Sequence, residues 1–233
     1  MKSENKVLIF CTSYCSDLNE WGKRIGSWID QFEESSLEFA KLLIIDDGSP
    51  ILPSFERDKV EIVLGDLHEV ESECDVVLYH FPDNLGRASL YNYPGWFRSF
   101  TFAAKYAKQY GYTKVIHIES DARVLSQRME SHLNGFTNGW EVYWCSFFKL
   151  PETAIQVIDG EEHLEKFLHI ANQPYANFAN KPADPMDHQG PSWLPYSVNK
   201  SFHGDRWTEV GKQIPDGSDY ACQVQGRPKK RFF

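Results

Sequence analysis

Two carboxylates one residue apart, Glu119 and Asp121, follow the apolar segment Lys114–Ile118. At the end of a strand the chain leaves the pleat, so both side chains can turn toward the same space. Carboxylate oxygens are the ligands that hard divalent cations such as Mg²⁺ and Mn²⁺ prefer. Cations held in this way usually also bind diphosphate oxygens. The spacing therefore predicts a metal site for a phosphorylated ligand, and an ordinary acidic turn is the alternative.

Two further polar clusters follow apolar segments upstream. Asp46, Asp47, Gly48 and Ser49 come after residues 42–45. A carboxylate there can accept hydrogen bonds from a base N–H or a ribose hydroxyl, and Gly48 permits a sharp turn. A purely structural turn is the alternative.

The other cluster comes after residues 75–81. It contains Asp83, Asn84, Gly86 and Arg87, and Arg98 follows in the next predicted helix. These residues would add a turn and cations for a diphosphate. For an arginine on a helix, a solvated surface position is the alternative.

Alternating strands and helices must position these clusters. The apolar pattern predicts strands over residues 7–13, 39–45, 60–64, 75–81 and 114–118. It predicts one helix over residues 18–32, with a capping-box-like start at Asp17 and Glu20, and another from Pro94 to Gly111. Ligands of open α/β sheets sit beyond the carboxyl ends of the strands. We therefore expect the polar clusters to gather around one crevice.

The pattern is less regular after Asp121. A helix is predicted over residues 127–133, a strand over 140–148 and a second helix over Glu161–Ala171. Residues 172–201 are rich in proline, asparagine and glycine. A segment of this length with little periodicity is more often a functional loop than a linker.

The polar clusters, taken in series with Thr12, Ser13 and Tyr14 after the first strand, resemble the motifs of family 2 glycosyltransferases. The resemblance covers about residues 6–125. It implies an α/β fold of the GT-A type, with a Rossmann-like, mostly parallel central sheet flanked by helices and an irregular C-terminal acceptor-side region. It also implies a nucleotide-sugar donor and a divalent metal, Mn²⁺ or Mg²⁺.

By position, the resemblance assigns base and ribose contacts to Thr12, Tyr14 and Asp46. Asp121 would ligate the metal, and Glu119 beside it would meet the ribose or the metal. Many GT-A enzymes supply a C-terminal histidine as a further metal ligand, and His203 is the candidate here. The full set of expected nucleotide-sugar contacts is Thr12, Tyr14, Asp46, Asp47, Asn84, Gly86, Arg87, Arg98 and Ser120.

This sequence departs from the family pattern in three places. The first metal-motif residue is Glu119 rather than aspartate, the interval before Arg98 is long, and the usual Glu-Asp base motif is missing from the C-terminal half. Inverting transfer needs a group that removes the proton of the acceptor hydroxyl. The candidates are Asp184, Asp187 and His188, of which we favour Asp187; a retaining enzyme would need no base there.

The predicted protein is a single domain over residues 1–233, with a donor half over 1–125 and an acceptor half over 126–233. Its predicted function is metal-assisted, inverting transfer of a sugar from a nucleoside diphosphate sugar, of the UDP type, to a hydroxyl of a cell-surface glycan or another saccharide. The alternatives are a retaining transferase, a sugar nucleotidyltransferase and a non-catalytic glycan-binding relative. The nucleotidyltransferase is disfavoured because residues 11–17 contain no glycine.

Composition narrows the class of protein further. The chain has 233 residues, 42% of them hydrophobic, as in an ordinary globular protein. A net charge of −9 argues against broad nucleic-acid binding. The polar N-terminus and short apolar runs predict a soluble cytoplasmic protein. The basic segment 227–233 could add peripheral contact with the inner face of a membrane, as a lipid-linked acceptor would require.

The chain is also rich in aromatic residues, which make up 15% of it. Those at residues 143–144 and 192–196 could stack on an acceptor sugar or fill the core.

Overall fold

The computed structural model describes residues 6–54, 60–65, 67–89, 92–179, 194–206 and 215–224. These residues form an α/β structure with one ten-stranded sheet in the order β3-β4-β2-β1-β5-β8-β7-β9-β10-β6. The strands are β1 Val7–Ser13, β2 Lys41–Asp46, β3 Val60–Leu64, β4 Val76–His80, β5 Lys114–Ile118, β6 Arg123–Val124, β7 Gly139–Cys145, β8 Leu150–Asp159, β9 Ser197–Arg206 and β10 Tyr220–Cys222.

The helices lie between the strands in the chain. They are α1 Leu18–Glu20, α2 Ser27–Glu33, α3 Pro94–Tyr110, α4 Gln127–Gly135 and α5 Glu161–Ala171. A π-helical turn, Trp21–Gly26, joins α1 to α2, and a 3₁₀ turn covers Tyr175–Asn177. In the described residues, no helix is long and apolar enough to cross a membrane.

The sheet is mostly parallel, as predicted. Among the described strands, β1, β2, β3, β4 and β5 run parallel to their neighbours in that group, and β9 is parallel to β7 and β10. β8 is antiparallel to both β5 and β7, and β6 is antiparallel to β10. The carboxyl ends of β1, β2, β4 and β5 therefore lie at one edge of the sheet.

Alternating side chains of the central strands enter two separate cores. Ile9 and Ile44 pack on one face with the segment from α1 to α2 and with α4. Phe10 and Ile45 pack on the opposite face with α3 and α5. Strands buried on both faces read as continuous apolar runs, which is why they stand out in the sequence.

The predicted elements of the first half are largely confirmed. The strand bounds of β1, β3 and β5 match the prediction, and α3 ends at Gly111 in the left-handed conformation. Leu18, an apolar residue at the start of the predicted helix, is 54% exposed. It also missed β8 and β9, and β9 occupies the end of the segment expected to be a loop.

Lys114 at the start of β5 connects the sheet to the end of α4. Its ammonium group is buried, donates to the carbonyl oxygens of Leu133 and Asn134 at 3.1 and 2.9 Å, and lies 3.5 Å from Asp159. A lysine near a helix C-terminus satisfies carbonyl groups that lack partners within the helix.

We expect Lys114→Met to lower the free energy of unfolding by about 1–3 kcal/mol, because it leaves these acceptors without their donor. Denaturant unfolding provides the measurement. The control is Lys108→Met, which removes an ion pair between two exposed side chains and should leave the free energy of unfolding close to that of the native protein. Equal effects of the two substitutions would contradict the role given to Lys114.

Candidate functional site

The ends of β1 and β5 are joined by a hydrogen bond between two predicted site residues. The Thr12 hydroxyl donates to Glu119 Oε2 at 2.8 Å, and the indole N–H of Trp96 on α3 donates to Glu119 Oε1 at 2.6 Å. The ring of His117 lies 3.4 Å from the same carboxylate. The structure thus brings together two polar clusters of the first half of the chain, the one at the end of β1 and the one after β5.

These neighbours determine the ionisation of Glu119. Burial by itself raises the pKa of a carboxyl group, but His117, Trp96 and Thr12 together lower the pKa of Glu119 below its usual value. Glu119 is therefore a carboxylate held in place by donors on both of its oxygens.

Asp121 is in the opposite situation. Its side chain is partly exposed and accepts no hydrogen bond from the described residues. Burial raises the pKa of Asp121 to about 6, and the charge of Glu119 adds to the effect, while Arg24 and Arg123 act against it. Asp121 thus carries negative charge that is poorly compensated and is available to a cation.

Asp46 at the end of β2 has no exposed surface. Its carboxylate accepts from the hydroxyl of Ser13 at 3.2 Å, from the backbone N–H and hydroxyl of Ser49 at 2.8 and 2.6 Å, and from His80 Nδ1 at 2.7 Å. The base contact expected of Asp46 stays a prediction, because protein donors surround its carboxylate in this structure.

Asp47 connects the polar cluster after β4, which contains Asn84 and Gly86, to the start of α3. Its Oδ2 accepts from the backbone N–H of Gly86 at 2.9 Å and from Asn84 Nδ2 at 3.2 Å, and its Oδ1 accepts from Arg98 at 2.5 Å. Arg98 also pairs with Asp83 at 3.0 Å. Asp47, Asn84, Gly86 and Arg98, all predicted site residues, therefore form one network, which we call the Asp47 network.

The other predicted residues lie apart from these networks. Tyr14 is 42% exposed on the loop after β1, and Arg87 donates from Nε to the carbonyl of Ser89. Ser120 is buried and its carbonyl oxygen accepts from Arg123. His203 lies on β9 with its side chain 46% exposed, and its Nδ1 is 4.0 Å from Asp219.

The structure describes the residues of the predicted metal site, but it does not describe the predicted base. Within the described ranges, no group of three or more histidine, cysteine, aspartate or glutamate side chains is arranged to hold a metal ion. The predicted base candidates Asp184, Asp187 and His188 lie outside the described residues. Their role stays a prediction.

Four residues at this edge were missed by the sequence analysis as site residues. Trp96 and His117 contact Glu119, Arg24 lies on the π-helical turn and donates to the carbonyl of Tyr14, and His80 contacts Asp46. His117 is buried on β5, between two core isoleucines, Ile116 and Ile118. The sequence signal for His80 was its position at the end of an apolar strand, where a polar side chain can face the crevice.

Comparison with known proteins gives matches among solved structures, but none among protein families or curated proteins. No protein-family model and no curated protein matches the chain. Among solved structures, the chain is similar to a glycosyltransferase involved in the glycosylation of the major capsid of PBCV-1. The similarity covers 95% of this chain and 94% of that chain, with 9% sequence identity and a TM-score of 0.47. At this identity the residues of the two chains are not matched one by one.

Gly95 gives a test of the Asp47 network. A Cβ atom at this position would lie 2.0 Å from Asp47 Oδ2 and 2.9 Å from the Gly86 nitrogen. We expect Gly95→Ala to displace Asp47 and to lower the free energy of unfolding by about 1–3 kcal/mol. The control is Gly22→Ala, where no atom lies within 4 Å of the added carbon. Thermal or denaturant unfolding that does not distinguish the two variants would contradict this prediction.

The raised pKa of Asp121 predicts a pH-dependent gain in stability on its removal. Since the pKa is about 6 in the folded protein, against 3.8 for an ordinary aspartate, ionised Asp121 destabilises the fold as pH rises through this window. In the presence of a chelator, Asp121→Asn should be more stable than the native protein at neutral pH by roughly 1–3 kcal/mol. The gain should vanish below about pH 4.

Denaturant unfolding across this pH range provides the measurement. Asp75→Asn is the matched control, because Asp75 is exposed just before β4, at the opposite edge of the sheet. A loss of stability in Asp121→Asn at neutral pH would contradict the prediction.

Proposed function

We propose that the protein is a glycosyltransferase that moves a sugar from a nucleoside diphosphate sugar to a hydroxyl of a saccharide acceptor. The observation that carries the proposal is the Thr12–Glu119 hydrogen bond. It links segments 107 residues apart and lies beside Asp121, whose negative charge is poorly compensated. The Asp47 network brings the polar clusters that follow β2 and β4 to the same edge of the sheet. This is where open α/β sheets bind their ligands.

Asp121 is the residue best suited to a divalent ion. Its partly exposed carboxylate accepts no hydrogen bond within the described part of the chain, whereas both oxygens of Glu119 already receive donors. We assign Asp121 to the ion, together with diphosphate oxygens of the donor, and Glu119 to holding the ends of β1 and β5 in place. When bound, Mg²⁺ or Mn²⁺ supplies positive charge against the departing diphosphate.

Other charged residues complete the proposed donor site. Arg24 lies within electrostatic reach of Asp121 and is a candidate cation for the diphosphate. Arg98 is paired with Asp47 and Asp83, so we assign it to shaping the loop that contains Asn84 and Gly86. The proposed base remains Asp187, which would make the transfer inverting.

The acceptor and the place of the reaction are part of the proposed function. A saccharide or lipid-linked glycan would be the acceptor, and the basic segment 227–233 would allow peripheral membrane contact from the cytoplasm. A non-catalytic glycan-binding relative is the second candidate function. It differs because it would bind saccharides without releasing nucleotide.

Release of nucleoside diphosphate from a panel of nucleotide sugars, with Mn²⁺ and mixed saccharide acceptors, tests the proposal. We expect turnover with at least one donor, and Asp121→Asn should reduce it by about 100-fold or more, as is typical for loss of a group that stabilises transition-state charge. Asp75→Asn is the control and should retain full turnover.

Two outcomes would contradict the proposal. One is the absence of both nucleotide binding and nucleotide release across the panel. The other is full turnover by Asp121→Asn in a preparation whose folding matches that of the control. Saccharide binding without nucleotide release would favour the glycan-binding alternative.

A further inference from the structure

The buried cluster around Asp46 has one side chain that is open to a ligand at its ring edge. Asp46 itself has no exposed surface, and Ser13 and Ser49 are buried. His80 keeps 14% of its side chain exposed. A ligand that approaches this cluster from the crevice would therefore contact the imidazole of His80 and not the buried carboxylate of Asp46.

The contacts of Asp46 determine which nitrogen of His80 carries a proton. A carboxylate accepts hydrogen bonds and donates none, so the 2.7 Å contact between His80 Nδ1 and Asp46 Oδ2 requires a proton on Nδ1. Ser13 and both donors of Ser49 also donate to this carboxylate. In the neutral ring, Nε2 then carries a lone pair. Nε2 makes no hydrogen bond with any described residue.

The position of His80 suits the base of a nucleotide whose phosphates lie near Asp121. Ser13, Asp46 and His80 are register partners at the ends of β1, β2 and β4. Three strand spacings separate β4 from β5 in the order β4-β2-β1-β5. At about 4.8 Å each, they place the two strand ends about 14 Å apart. This is the scale of an extended nucleoside diphosphate from base to terminal phosphate.

We propose that His80 selects the nucleotide base, with Nε2 accepting a hydrogen bond from a ring N–H. Uracil and guanine carry such an N–H, at N3 and N1 respectively, whereas cytosine and adenine present a bare nitrogen acceptor there. Two lone pairs that face each other repel, so cytosine or adenine held in the same pose binds less tightly than uracil or guanine.

This inference rests on the proposed function, because it assumes that a nucleoside diphosphate binds at this edge. It changes the role expected for Asp46 in the sequence analysis. The base contact passes from Asp46 to His80, and Asp46 holds the ring in the tautomer that accepts from the ligand.

The test is direct binding of UDP, CDP, GDP and ADP, with Mn²⁺, in mildly alkaline buffer. Each matched pair, UDP with CDP and GDP with ADP, keeps the ring size and changes the hydrogen-bonding edge. In the native protein we expect the N–H base of the better-binding pair to bind roughly 3- to 10-fold more tightly than its partner. In His80→Ala this preference should fall to about one.

A second variant separates the two roles of His80, the proposed contact of Nε2 with the base and the hydrogen bond of Nδ1 to Asp46. His80→Asn keeps an N–H at the same distance from the backbone as Nδ1, so it can still donate to Asp46, but it has no atom at the position of Nε2. We expect it to lose the base preference and to unfold at a temperature close to that of the native protein. The control is His169→Ala on α5, where the histidine is exposed, and it should keep the preference.

The outcomes are distinguishable. A base preference that survives in His80→Asn, or a native preference for CDP or ADP, would overturn the role of His80 and leave the proposed function standing. Absence of binding by all four nucleotides in the native protein would overturn both.

Discussion

A carboxylate withdrawn from water must be given hydrogen-bond donors, or it destabilises the fold that buries it. The carboxyl edge of this sheet is organised by that requirement. Asp46 and Asp47 lie at the end of β2 and Glu119 follows β5, and each of the three receives donors from elements distant in sequence. Those bonds fix the ends of β1, β2, β4 and β5 and the start of α3. Asp121, one residue beyond Ser120, is the exception to this pattern.

Glu119 and Asp121 differ in their hydrogen-bond donors and in the direction of their pKa shifts. The two neighbouring carboxyl groups have pKa values shifted in opposite directions. Donors to both oxygens lower the pKa of Glu119, whereas burial, together with the negative charge of Glu119, raises the pKa of Asp121. Such a separation is common at functional sites, where a group is kept ready for a ligand at the expense of stability. The donor-rich carboxylates supply the rigidity that this arrangement needs.

The sequence was sufficient to predict the central strands, because β1, β2 and β5 are buried on both faces and read as unbroken apolar runs. It was not sufficient for β8 and β9. Pro151 and Glu152 interrupt the pattern of β8, and β9 carries mostly polar residues. The partners of the site residues were also beyond reach, since the His80–Asp46 contact depends on β4 lying next to β2. Tyr143, considered for acceptor stacking, is fully buried and belongs to the core.

The antiparallel insertion of β8 between β5 and β7 has a consequence for synthesis of the chain. Residues 150–159, which form β8, are synthesised after β1 and β5. If β5 pairs with β1 before β8 is complete, the other edge of β5 is unpaired. An apolar strand with an open edge is a template for pairing with other chains. During such an interval, chaperone binding to β5 would protect the nascent chain from aggregation.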